Sequence, residues 1–162
     1  MKKRNLKDIR KYEKYSTNDL LRNLNLKFHR CTRIKDSENE LLIEDSDGSV
    51  KVGKLVFDYW MYRTKNVFLE YTIEKKDGNY EGWYSNKNIV FLTVVDGHNN
   101  IAYMIDIKYL RDSGFDIPEN SKYYSRKRNN KTKVYSYGLE IPLDFLVNNG
   151  YIIGVYVLKK EL

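Results

Sequence analysis

Two strand-like runs joined by a short break constrain the fold of this 162-residue chain more than any other feature. The first is Leu55-Val56-Phe57-Asp58-Tyr59-Trp60-Met61-Tyr62; the second is Val67-Phe68-Leu69-Glu70-Tyr71-Thr72-Ile73-Glu74, with Thr64-Lys65-Asn66 in the break. Both are rich in the β-branched and aromatic residues that suit a pleated, half-buried surface. So tight a connection predicts antiparallel neighbours. That pairing brings Asp58 within metal-bridging distance of Glu70. Two carboxylates so placed can bind a hard divalent cation, Mg²⁺ or Mn²⁺, through oxygen ligands. Such a metal activates water and stabilises a phosphoryl transition state. Strand alternation also puts Glu70, Thr72, Glu74 and Lys76 on one face.

The rest of the chain reads as a mixture of helix and strand. Ser16-Thr17-Asn18-Asp19 marks a helix start, and Leu20, Leu21, Leu24 and Phe28 recur at helical spacing over residues 18–30. Asp47-Gly48 is a turn, and Asp77-Gly78-Asn79 ends the strand that carries Glu70. The apolar run 89–95 predicts a buried strand, paired as a hairpin with 101–107 through Gly97-His98-Asn99-Asn100. Tyr109-Leu110-Arg111 is a helical turn closed near Gly114, and 115–133 is a polar loop. A strand over 134–141 is followed by a short helix, entered at Pro142 and closed by Asn149-Gly150, and by a last strand over 151–158. The predicted class is α/β or α+β: a central mixed β-sheet flanked by a leading helix and short helices. One domain over 1–162 is expected, with a basic, flexible segment at 1–15.

Hydrophobic residues make up 41% of the chain and aromatics 14%, which excludes a disordered polymer. The net charge of +7 and a pI near 9.3 favour an anionic partner, nucleic acid first. The competing explanation is the lysine-rich composition of an AT-rich genome. The positive charge is clustered. Lys2, Lys3, Arg4, Lys7, Arg10, Lys11 and Lys14 crowd the N-terminus, and Lys122, Arg126, Lys127, Arg128, Lys131 and Lys133 fall in a stretch without acids. Between them, 36–50 is acidic. Tyr123-Tyr124-Ser125-Arg126-Lys127-Arg128 interleaves aromatics with cations and is the best candidate for contact with nucleic acid. The single cysteine, Cys31, excludes an intramolecular disulfide and a cysteine-rich zinc site and fits a reducing compartment. No apolar stretch approaches bilayer length, so no membrane association and a cytoplasmic location are expected. A glycine-rich phosphate loop is absent, which excludes an NTPase of that type. His29 and His98 read as surface residues and Trp83 as core.

The order of helix, Asp58-bearing strand and Glu70-bearing strand resembles the restriction-endonuclease-like superfamily, whose motif is written PD-(D/E)XK. More narrowly, Leu69-Glu70-Tyr71-Thr72, Glu81-Gly82-Trp83, Asp106-Ile107-Lys108-Tyr109-Leu110-Arg111 and Tyr137-Gly138-Leu139-Glu140-Ile141-Pro142-Leu143 resemble small phage and mobile-element proteins of that superfamily. The resemblance implies a nuclease-like, DNA-binding phage protein that uses Mg²⁺ or Mn²⁺. Asp58 would be the metal-ligating aspartate and Glu70 the second acid. The motif's lysine falls at Thr72, which implies weak or absent cleavage. A second frame takes Glu74 and Lys76 as the E-x-K pair. The alternative class is a non-enzymatic protein of the same fold that binds and inhibits a host or defence protein.

Overall fold

A computed structural model describes residues 5–35, 39–129 and 132–159. The Asn5 side chain accepts the Asp8 backbone N–H at 2.9 Å, and helix α1 runs from there over Leu6–Lys27. It therefore starts well before the predicted 18–30 and takes up most of the basic 1–15 segment. Ser16, Thr17 and Asp19 do not start the helix; they are buried inside it. The Thr17 hydroxyl donates to the Glu13 carbonyl at 2.7 Å. The Asp19 carboxylate accepts the Lys159 backbone N–H at 2.8 Å and Arg22 at 3.1 Å. Thr17 and Asp19 sit inside the helix because they find such partners, whereas the buried Ser16 hydroxyl has none among the described residues.

Among the described residues ten strands follow: β1 Arg30–Arg33, β2 Glu40–Glu44, β3 Val50–Asp58, β4 Asn66–Lys75, β5 Gly78–Glu81, β6 Ile89–Asp96, β7 Ile101–Asp106, β8 Tyr124–Asn129, β9 Val134–Pro142 and β10 Ile152–Val157. They form a six-stranded sheet in the order β1-β2-β3-β6-β7-β10 and a four-stranded sheet in the order β5-β4-β9-β8. Among the described residues only β3 and β6 pair in parallel, so the fold is mixed α+β as the alternation of helical and strand patterns predicts. The predicted hairpin of 89–95 with 101–107 is present as β6–β7.

The antiparallel pairing expected for the Asp58 and Glu70 runs is absent. β3 and β4 lie in different sheets, and both edges of β3 are taken by β2 and β6. A helical turn, α2 (Met61–Thr64), separates β3 from β4. The Asp58 Oδ1 starts it by accepting the backbone N–H groups of Trp60 and Met61 at 2.8 and 2.9 Å. Lys65, with φ 57°, closes it in the left-handed region. This turn carries the chain out of one sheet and into the other.

The larger sheet is covered on both faces. Leu20 and Leu24 of α1 pack with Leu41, Ile43, Leu55, Phe91, Val95 and Met104 on one side. On the other, Leu92, Val94 and Ile105 meet Val67, Leu69, Leu139 and Ile141 of the smaller sheet, together with Leu146 of α4 (Leu143–Asn148). Each such side chain contributes about 1.5–3 kcal/mol through burial. Coverage on both faces explains why β6 reads as an unbroken apolar run rather than an alternation. Two stretches depart from their polar reading. The acidic stretch holds β2, whose Leu41 and Ile43 are fully buried. The predicted loop at 115–133 holds the edge strand β8, where charged residues suit an unpaired edge.

Candidate nucleic-acid interface and cleft

A β-bulge decides how the acids of β4 are distributed. Glu70 pairs with Gly138 and Thr72 with Tyr137, so one extra residue, Tyr71, lies between them. A bulge resets the alternation of side chains along its strand. Glu70 and Glu74 therefore project from opposite faces, and the shared face expected for them is not present. Their partners report the same thing from the neighbouring strand. The Ser136 hydroxyl donates to Glu70 Oε2 at 2.8 Å, and the hydroxyl of the next residue, Tyr137, donates to Glu74 Oε2 at 2.8 Å. Consecutive residues of one strand point to opposite sides. Lys76 is an exposed turn residue beyond the end of β4, so the Glu74–Lys76 frame is not held together on a strand.

Asp58 and Glu70, although on different sheets, do line one cleft of about 820 Å³. On β3, Lys54, Val56 and Asp58 alternate onto the face toward it, and β4 contributes Phe68, Glu70 and Ile73. Lys127 of β8 reaches the same cleft. Its amine lies 3.4 Å from Glu140 Oε1 and 4.7 Å from the centre of the Phe68 ring. Glu13, Glu40 and Glu81 also line the cleft, and Trp60 stands at it 63% exposed with Arg63 over its ring. Two lysines and two of the predicted acids therefore share one space. The period-two spacing of Lys54 with Asp58 was the sequence signal for the first lysine; nothing local signalled Lys127. Among the described residues, no group of three or more His, Cys, Asp or Glu side chains is arranged to hold a metal ion.

The predicted nucleic-acid residues also divide. β8 alternates Ser125 and Lys127, half-buried, with Tyr124, Arg126 and Arg128, exposed. Lys127 therefore faces away from Arg126 and Arg128 and is engaged with Glu140, because an edge strand still obeys the pleat. The two arginines instead lie 4.7 and 5.7 Å from the ring centre of Tyr135 on β9. Beside them Tyr124 stacks on Tyr137, with ring centres 6.3 Å apart and planes 24° from parallel. Lys122 is exposed in the preceding turn with its amine 5.1 Å from the Tyr123 ring centre, and Lys133 is exposed in the turn that enters β9. Lys131 lies outside the described residues.

Three other residues bear on the reading of the site. Burial pushes the Cys31 thiol up to about 11, so its neighbours Arg30 and Arg33 do not activate it. His98 is exposed, as its reading as a surface residue expects, and its ring stacks on Tyr62 with centres 4.0 Å apart. Arg111 is buried, and its guanidinium donates to the carbonyls of Ile89, Tyr84 and Asn86 at 2.6, 2.7 and 3.1 Å. It holds a segment that lines the cleft, since Asn86 and Ile89 are among the lining residues. No helix among the described residues is long and apolar enough to cross a membrane. Comparisons of the chain with protein-family models, with curated proteins and with solved structures found no match.

Proposed function

We propose that the protein binds nucleic acid through the exposed face shared by β8 and β9. The observation that carries this reading is the pair Arg126 and Arg128, exposed in alternation on an edge strand and laid over Tyr135 beside the Tyr124–Tyr137 stack. Neither arginine makes an ion pair among the described residues, whereas Lys127 does. Guanidinium groups bind phosphate in a planar, two-pronged geometry, and the net charge of +7 raises the local concentration of a polyanion. Each phosphate contact releases counterions. Two contacts add a slope of about −1.4 on single strands, or about −1.8 on a duplex, to a plot of log affinity against log salt. The test is fluorescence anisotropy with labelled oligonucleotides across a salt series. The Arg126→Ala, Arg128→Ala double variant is expected to flatten the slope by about that amount. Absence of binding at low salt overturns the reading and favours a host-protein partner.

One observation favours a second reading, Mg²⁺- or Mn²⁺-dependent cleavage: Lys54 and Lys127 line the cleft that holds Asp58 and Glu70. A lysine near two acids supplies the charge stabilisation that Thr72 does not. One oxygen of each acid is already engaged, Asp58 Oδ1 by the α2 backbone and Glu70 Oε2 by Ser136. Weak or no cleavage of supercoiled and branched DNA in Mn²⁺ is the expected outcome. Robust cleavage that an Asp58→Ala, Glu70→Ala variant loses would establish this second reading instead.

A further inference from the structure

Resting on the nucleic-acid reading of β8 and β9, we propose that the ligand of this face is an unpaired strand, whose bases stack on the Tyr124–Tyr137 pair while Arg126 and Arg128 hold the adjoining phosphates. The arrangement of the face favours this over a duplex. A protein that reads a duplex groove extends its side chains to base edges. Here the two guanidinium groups are drawn onto the Tyr135 ring, 4.7 and 5.7 Å from its centre, and lie against the sheet. Tyr124 is 39% exposed, and its ring is backed by Tyr137. The Tyr137 hydroxyl is tied to Glu74 at 2.8 Å, which fixes the tilt of the supporting ring. A base in a duplex has both faces covered by its neighbours. A base in a single strand has a face to offer, and every base has one, so such a platform accepts any sequence.

The same motif of an exposed ring with a cation over it recurs beyond β8 and β9. Arg63 lies 5.2 Å from the centre of Trp60, and Lys75 lies 4.9 Å from that of Tyr80, which is 45% exposed. These rings do not enter the test below, which is confined to the Tyr124 platform. Glu74 and Glu119 are the acids near it: Glu74 through the Tyr137 hydroxyl, and Glu119 through its charge, which adds to burial in raising the Tyr124 hydroxyl.

The experiment compares three probes at matched salt: a single-stranded DNA of mixed sequence, the RNA of the same sequence, and the DNA duplex. Both single strands are expected to bind more tightly than the duplex. A preference between them assigns the strand to RNA or DNA, which a protein tells apart at a given site through the 2′-hydroxyl. Tyr124→Ala is expected to weaken single-strand binding roughly 5- to 150-fold and leave duplex binding unchanged, whereas Tyr124→Phe retains it. In a Tyr124→Trp protein, the new indole is expected to lose emission on addition of single strand but not of duplex, a readout that does not depend on how well the alanine variant folds. Duplex binding as tight as single-strand binding, or a Tyr124→Ala protein of unchanged affinity, overturns this proposal while leaving the underlying reading in place. Failure of all three probes to bind overturns the underlying reading itself.

Discussion

Replacing Arg111 tests whether one buried cation holds the segment 84–89 that lines the cleft. Its side chain is 7% exposed and meets no carboxylate among the described residues. Three carbonyls, those of Ile89, Tyr84 and Asn86, and the face of the Tyr84 ring at 4.8 Å replace the water it has lost. Burial lowers its pKa from the ordinary arginine value, which records the cost of that desolvation. Arg111→Met keeps much of the apolar stem and removes the charge. Each orphaned buried carbonyl costs about 1–3 kcal/mol. The Asn86 carbonyl keeps the Ile89 backbone N–H at 3.1 Å, so taking the low end for the other two carbonyls gives about 2 kcal/mol, because relief of the buried charge offsets part of the loss. Against a total stability of about 5–15 kcal/mol this is a large fraction. Urea unfolding followed by circular dichroism measures it, with the denaturant slope checked for constancy. A change below about 1 kcal/mol would refute the reasoning, since the carbonyls of Ile89 and Tyr84 would then have found water or new partners at no cost. The same variant is expected to loosen the turn at Trp83–Ser85, whose Tyr84 hydroxyl donates to the Phe115 carbonyl at 2.7 Å, and limited proteolysis between residues 82 and 89 would report it.

Gly138→Ala would place a Cβ 1.9 Å from the Leu69 carbonyl oxygen, a backbone atom of the paired strand. Overpacking costs about 1–3 kcal/mol even where side chains can yield, so a loss above that range is expected, read as a drop in melting temperature; an unchanged melting curve would show that β4 and β9 are not paired as described. Cys31 is expected to resist thiol reagents at neutral pH and to react at once in denaturant. Its folded pKa of about 11 lies above the ordinary thiol value of 9.0, so its contribution to stability is complete below about pH 9 and declines as pH rises toward 11. Rapid modification of the native protein at neutral pH would contradict its burial.

Much of this fold is written locally. The apolar run 89–95 and the strand-like 101–107 needed only the turn at Gly97-His98-Asn99-Asn100 to become the β6–β7 hairpin. Pro142 and Gly150, with φ 77° at the latter, delimit α4 as their chemistry dictates. Asn5 was an equally local start for α1, but Ser16-Thr17-Asn18-Asp19 presented a stronger pattern, and its meaning depended on Lys159, far along the chain. The sequence by itself determined the mixed class, the basic charge and the residue types available for chemistry, because periodicity and composition are properties of neighbouring residues. Which of those residues share a site was decided by long-range pairing. Asp58 turned from a hairpin partner of Glu70 into the start of α2. Glu70 and Glu74 were parted by a bulge whose register is set by β9. Lys127 was drawn from its basic run by Phe68 and Glu140. A strand's face inverts with a shift of one residue, and that shift is fixed by the strand beside it, which no local spacing records.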